Sequence, residues 1–148
     1  MSASSDSAIV AQKLRWNALT ALVSLLFALI GFSYNAWRLE ASEANSTVRT
    51  AAFEVLLQLS ELEQNIFAAH YDQDRLRGNP RDGWVKVGLI DDLSGLIDGE
   101  VAQHSQLLRQ QWQVGWQRLP DDRAIAEQLL TQIDATRAAI KRRLNQLE

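Results

Sequence analysis

The sequence has no cysteine, and it has only two prolines and seven glycines among its 148 residues. Without cysteine there can be no disulfide bond, thiolate metal ligand or cysteine nucleophile. The scarcity of proline and glycine leaves few points at which a helix must stop, so an all-α protein is favoured. A net charge of −3 excludes the concentrated positive charge that general affinity for nucleic acid requires. We therefore expect an all-α protein that does not bind nucleic acid.

Charge is also missing from one long segment, because no charged residue occurs between Arg15 and Arg38. Trp16 and Trp37 stand at its ends, and the helix between them would be about 31 Å long, close to the roughly 30 Å apolar core of a bilayer. Trp16, Tyr34 and Trp37 occupy interfacial positions, and Arg15 and Arg38 lie where they reach lipid headgroups. We predict a transmembrane helix over residues 14–37, anchored in the lipid bilayer, after a disordered tail over residues 1–13.

The same segment admits two other interpretations. A buried core helix rarely combines bilayer length with aromatic and cationic residues at both ends. A cleaved signal peptide needs small residues at its cleavage site, where this sequence has Phe32 and Tyr34. We expect an uncleaved anchor with the N-terminus in the cytoplasm, because Lys13 and Arg15 precede it. In a bacterium, the rest of the chain would then lie on the periplasmic side of the inner membrane.

A stripe of small residues follows one face of the predicted membrane helix. Its members, which we call the membrane stripe, alternate at spacings of four and three residues: Asn17, Ala21, Ser24, Ala28, Gly31 and Asn35. Small side chains let a second helix approach closely inside a bilayer. The membrane stripe is a candidate packing face for a homodimer or for another membrane protein. The simpler alternative is that small residues are common in membrane helices in general.

The helical pattern continues into an extramembrane domain over residues 38–148. We predict a long helix over 38–77 and further helices over 84–98, 100–119 and 121–147, packed as an antiparallel bundle of about four helices. The long helix carries a heptad seam in which apolar residues alternate at spacings of four and three: Val48, Ala52, Val55, Leu59, Leu62, Ile66 and Ala69.

Two further apolar sets extend this pattern. Phe53, Leu56, Leu57 and Phe67 broaden the long helix's apolar surface, so we expect it to be covered on more than one side. In the second helix we expect Val85, Leu89, Leu93 and Leu96 to lie on one apolar face.

Residues that could carry chemistry are few. His70 and Asp74, four residues apart, could share a metal ion with His104, although a solvated helix end is the simpler interpretation. Trp84, Trp112 and Trp116 could form an aromatic patch for a ligand or a partner, or they could fill the core. We expect no catalytic site, metal or cofactor, because phosphate-binding glycine loops and hydrolase motifs are missing.

An anchor helix leading into a periplasmic four-helix bundle resembles the input half of bacterial chemoreceptors and sensor kinases. The resemblance implies a ligand-sensing module, which would here signal through a separate membrane partner. Our leading hypothesis is instead a non-enzymatic interaction or scaffold protein with a single membrane pass. It would act as an accessory subunit or as a homodimer.

Overall fold

The computed structural model describes residues 3–147, apart from the side chains of residues 3–12, 14 and 41. Throughout this range the regular structure is helical, in the order α1 (Ala3–His70), α2 (Pro80–Ser94), α3 (Gly99–Gly115) and α4 (Arg123–Asn145). The predicted all-α class and helical bundle are confirmed. The chain divides into two compact units, Met1–Glu43 and Ala44–Glu148.

The first unit contains the amino-terminal part of α1. The helix begins at Ala3, whereas the sequence predicted a disordered tail over residues 1–13; Met1 and Ser2 lie outside the described residues. No proline or glycine precedes Gly31, so nothing in the sequence interrupts the helix. The helix is long and apolar enough to cross a membrane, and none of its apolar window is buried. The interpretation as a buried core helix therefore does not describe this structure.

The second unit is a four-helix bundle that closes within one chain. Helix α1 contacts α4 where Glu63 accepts a hydrogen bond from the Arg137 guanidinium at 2.8 Å. Arg49, earlier in α1, donates to the backbone carbonyl of Leu147, later in the chain, at 3.1 Å. The two contacts run in opposite sequence order, so α1 and α4 are antiparallel.

The remaining neighbours are antiparallel as well. Asp91 of α2 pairs with Arg109 of α3 at 2.7 Å, while Gly83 at the start of α2 lies against Trp112 near the end of α3. Glu100 pairs with Arg142, joining the start of α3 to the end of α4. Short connections link helices that alternate in direction, as in an up-down-up-down bundle.

The heptad seam of α1 supplies one wall of the core. Six of its seven residues, from Ala52 to Ala69, are buried, and Val48 packs against the core from its edge. The other walls come from buried apolar residues of α2, α3 and α4: Val87, Ile90, Val101, Leu108, Trp112, Leu129, Ile133 and Ile140. Full burial of each large apolar side chain contributes about 1.5–3 kcal/mol. The seam therefore faces helices of its own chain.

Helix α2 is rotated relative to the sequence expectation. Val85 is 70% exposed and Leu96 is also exposed, so these two residues do not face the core. The buried face instead contains Gly83, Val87, Ile90 and Ser94. The rotation of α2 about its axis depends on Gly83, which lets the Trp112 ring pack against the α2 backbone. An alternation of apolar residues could not indicate that a glycine belongs to the core face.

The turn between α1 and α2 also differs from the prediction, since α1 ends at His70 and not near residue 77. Gln73 adopts a positive φ of 54°, and the Asp74 carboxylate accepts hydrogen bonds from the backbone N–H groups of Leu76 and Arg77. Both features replace helical geometry with a turn. Helix α2 then begins early, at Pro80, because proline suits the first helical position.

Side-chain caps begin each of the three later helices. Asn79 caps α2, Asp98 caps α3 and Asp122 caps α4, each by accepting a hydrogen bond from a backbone N–H in the first turn. The predicted start of the fourth helix at residue 121 is thus shifted to Arg123 by its cap. The third helix ends at Gly115 and not at residue 119, and turns lead from there to Asp122.

Candidate interaction surfaces

The membrane stripe is open along its whole length. Asn17, Ala21, Ser24, Ala28, Gly31 and Asn35 are all exposed, and a Cβ added to Gly31 would meet nothing within 4 Å. The predicted interfacial residues Arg15, Trp16, Tyr34, Trp37 and Arg38 are exposed as well. The Tyr34 and Trp37 rings lie 6.3 Å apart at the end of the apolar segment. This unit therefore presents a small-residue face and terminal aromatic residues that nothing in its own chain covers among the described residues.

The predicted aromatic patch does not form as a patch. Trp112 is 0% exposed and belongs to the core, while Trp84 and Trp116 are half-buried and pack against the core's edge. Trp112 thus takes the core position that was the alternative interpretation of the sequence, and it fills the space opposite Gly83. Its Nε1–H has no hydrogen-bond partner among the described residues, which is consistent with a side chain retained for its volume.

The candidate metal ligands are used for other contacts. His70 Nδ1 lies 2.9 Å from the backbone carbonyl of Leu119 and closes the distal end of the bundle. Asp74 stabilises the turn already described, and His104 contacts Gln132 of α4. Within the described residues, no group of three His, Asp or Glu side chains could hold a metal ion. The structure thus separates residues that sequence spacing had suggested might meet.

A second exposed stripe lies on the bundle, on the face of α1 opposite the heptad seam. We call it the outer stripe; its members again alternate at spacings of four and three: Phe53, Leu57, Ser60, Gln64, Phe67 and Tyr71. Phe53 is 64% exposed, Leu57 52%, Phe67 40% and Tyr71 50%. The sequence predicted that the other helices would cover this side of α1. Of the four residues that broaden the apolar surface, Leu56 packs against the core, but Phe53, Leu57 and Phe67 stay exposed.

The outer stripe carries no charged residue, and two of the glutamates that border it form ion pairs within the chain. Glu61 pairs with Lys86 of α2 on one side, and Glu63 pairs with Arg137 of α4 on the other. Beyond Tyr71, Arg123 has a pKa raised chiefly by its hydrogen bond to Glu127, and its charge also interacts with Tyr71. The stripe is thus an uncharged strip, with polar Ser60 and Gln64 at its middle, between two intramolecular ion pairs.

The surface of the bundle has at least four grooves among the described residues. One of about 230 Å³ lies between α3 and α4, near Val114, Gly115 and Ile125. Another of about 370 Å³ lies between α1 and α2, near Ala51, Leu93 and Leu96. None of the four is lined by Trp84, Trp112 or Trp116.

Comparison with protein-family models, with curated proteins and with solved structures gave no match.

Proposed function

We propose that this chain is a single-pass membrane-anchored interaction protein that acts as a scaffold and self-associates as a homodimer. Its amino terminus would lie in the cytoplasm and its bundle on the periplasmic side of a bacterial inner membrane. We further propose that it has no catalytic activity. The functional surface is then a set of helix faces, and no active-site cleft is required.

One observation carries the proposal: a helix with about 20 consecutive apolar or uncharged residues, bounded by Arg15 and Arg38, has its apolar window entirely unburied. Exposed apolar helix surface of this length is stable in lipid and unstable in water. The membrane stripe on that helix supports close packing with a second helix. The bundle supports a scaffold role, because its polar residues serve as caps and ion pairs that hold the helices together.

Two copies of the full-length chain, carrying different affinity tags, test the homodimer. They would be co-expressed, extracted in mild detergent and purified through one tag, and the other tag would be measured. Replacing Ala21 and Ala28 by isoleucine should reduce the co-purified fraction about tenfold, because larger side chains separate the two helices.

Leu26→Ile is the matched control. Leu26 lies two residues from both Ser24 and Ala28, about 200° around the helix from each, and therefore on the opposite face. This variant should co-purify like the parent chain. Equal co-purification of the double alanine variant would show that the membrane stripe does not mediate self-association.

Alkaline carbonate extraction of membranes tests the anchor separately. We expect the full-length chain to stay in the membrane fraction, and release into the supernatant would exclude a transmembrane segment. Protease added outside spheroplasts should digest the bundle while sparing a cytoplasmic N-terminal tag. Digestion of the tag in place of the bundle would reverse the proposed orientation.

A further inference from the structure

The outer stripe leaves several large apolar side chains of the bundle exposed. Helices on the outside of a bundle normally present polar residues to solvent. Here two phenylalanines and a leucine stand at such positions, with Tyr71 at the carboxyl end. Aromatic residues exposed in a cluster are typical of protein interfaces.

We propose that the outer stripe is the contact surface between the bundles of two copies of this chain. The occupant of the stripe is the same stripe of a second molecule, and the two α1 helices run parallel about a two-fold axis. This inference rests on the proposed homodimer and adds to it a second interface, outside the membrane.

The charge pattern supports a self-complementary contact. In a two-fold symmetric interface each residue near the axis meets its own copy, so a charged residue there would face a like charge. The outer stripe has no charge at any of its six positions. Glu61 and Glu63, which border it, are already paired within the chain, whereas Glu54, beside Phe53, accepts a hydrogen bond from Gln58 and brings its carboxylate to the edge of the contact.

The spacing between the two stripes in the sequence also supports a second copy of the chain as the partner. Phe53 follows Asn35 by 18 residues, as Asn35 follows Asn17, and 18 residues are about five turns of an α-helix. The membrane stripe and the outer stripe thus repeat with one helical phase in the sequence. Membrane insertion gives all copies one orientation, so two α1 helices can only associate in parallel.

The middle of the stripe would set the register. Ser60 and Gln64 are the two polar members, and they lie between the apolar pairs Phe53–Leu57 and Phe67–Tyr71. In parallel helix pairs, a polar residue within an apolar interface favours the register in which it meets its own copy. We expect Gln64 to face the second copy's Gln64, with aromatic contacts above and below.

The natural absence of cysteine allows a direct test by disulfide crosslinking of the full-length chain in membranes. Single cysteines would replace Leu57 and Gln64, both exposed, so that the bundle keeps its core. Mild oxidation should convert most of each variant to a covalent dimer, because residues near a two-fold axis come within disulfide distance. Val85→Cys and Val114→Cys, exposed on α2 and α3, are matched controls and should remain monomeric.

A cysteine at Ser24, in the membrane stripe, separates the failure of this inference from the failure of the proposed homodimer. Crosslinking at position 24 without crosslinking at 57 and 64 would overturn the outer-stripe contact and leave the membrane dimer. No crosslinking at any of the three would overturn both. Equal crosslinking at 85 and 114 would indicate random collision and would also overturn the outer-stripe contact.

A second set of variants tests the apolar contacts themselves. Phe53→Ser with Leu57→Ser should slow crosslinking through a cysteine at position 64 about tenfold, since two interface anchors are lost. Val114→Ser, on α3, should leave the rate unchanged. Circular dichroism of each variant must show the parent's helix content. Unchanged crosslinking of the folded double variant would contradict the proposal.

Discussion

At the scale of single residues, Gly83 is the position where the absence of a side chain determines the packing. A Cβ at this position would overlap the six-membered ring of Trp112, which is fully buried and cannot move aside. We therefore expect Gly83→Ala to destabilise the bundle by about 1–3 kcal/mol. Urea unfolding of the full-length chain in detergent, followed by circular dichroism, measures the change.

Gly88 provides the control within the same helix. An added Cβ there meets nothing within 4 Å, so Gly88→Ala should stabilise α2 by about 0.5–1 kcal/mol through its effect on backbone entropy. The two substitutions should therefore act in opposite directions. A similar gain from both would mean that Trp112 does not pack against Gly83.

At the scale of elements, the two faces of α1 should respond differently to the loss of one leucine. Leu59 lies in the seam and is fully buried, so Leu59→Ala should cost about 2–5 kcal/mol of unfolding free energy. Leu57, on the outer stripe, is half exposed, and Leu57→Ala should change the stability of the monomer by no more than about 0.5 kcal/mol. Chemical unfolding at a dilution where the chain is monomeric distinguishes the two; equal costs would show that the bundle covers both faces.

The start of α4 depends on a single capping side chain. The Asp122 carboxylate accepts hydrogen bonds from the backbone N–H groups of Ala124 and Ile125. Asp122→Ala should therefore lower the stability by about 0.5–2 kcal/mol, while Asp122→Asn, which keeps an acceptor, should change it little. The thermal midpoint of unfolding measures the stability of both variants. An alanine variant as stable as the asparagine variant would show that the cap contributes nothing.

Local patterns predicted most of these elements because their causes are local. The seam follows from spacing alone, and an aspartate directly before a helix is a favoured N-cap residue, as Asp122 is for α4. The residue at which α1 ends and the face that α2 buries could not be predicted in the same way. The first depends on a positive φ at Gln73, and the second on Trp112 meeting a glycine about 30 residues earlier in the chain. The outer stripe was visible as apolar residues, but only the closed bundle shows that they stay exposed.

At the scale of the molecule, the second unit has its own core and contains all four helices of the bundle. A chain of residues 44–148 should therefore fold without the membrane segment, with a helical circular dichroism spectrum and a single cooperative unfolding transition. The fragment of residues 44–148, expressed and purified without detergent, provides the sample. Gradual, non-cooperative melting would mean that the bundle needs the first unit.

The contact between α1 and α4 has a consequence for biosynthesis. The seam of α1 is complete once Ala69 has been made, yet its last covering helix ends at Asn145. At about 5–20 residues per second, ribosomes need roughly 4–15 s to add the intervening residues. During that interval the nascent chain exposes a row of apolar side chains that follows its long apolar segment. Chaperone protection of the emerging chain is therefore needed most before α4 arrives, and a chain terminated there would be a substrate for proteolysis.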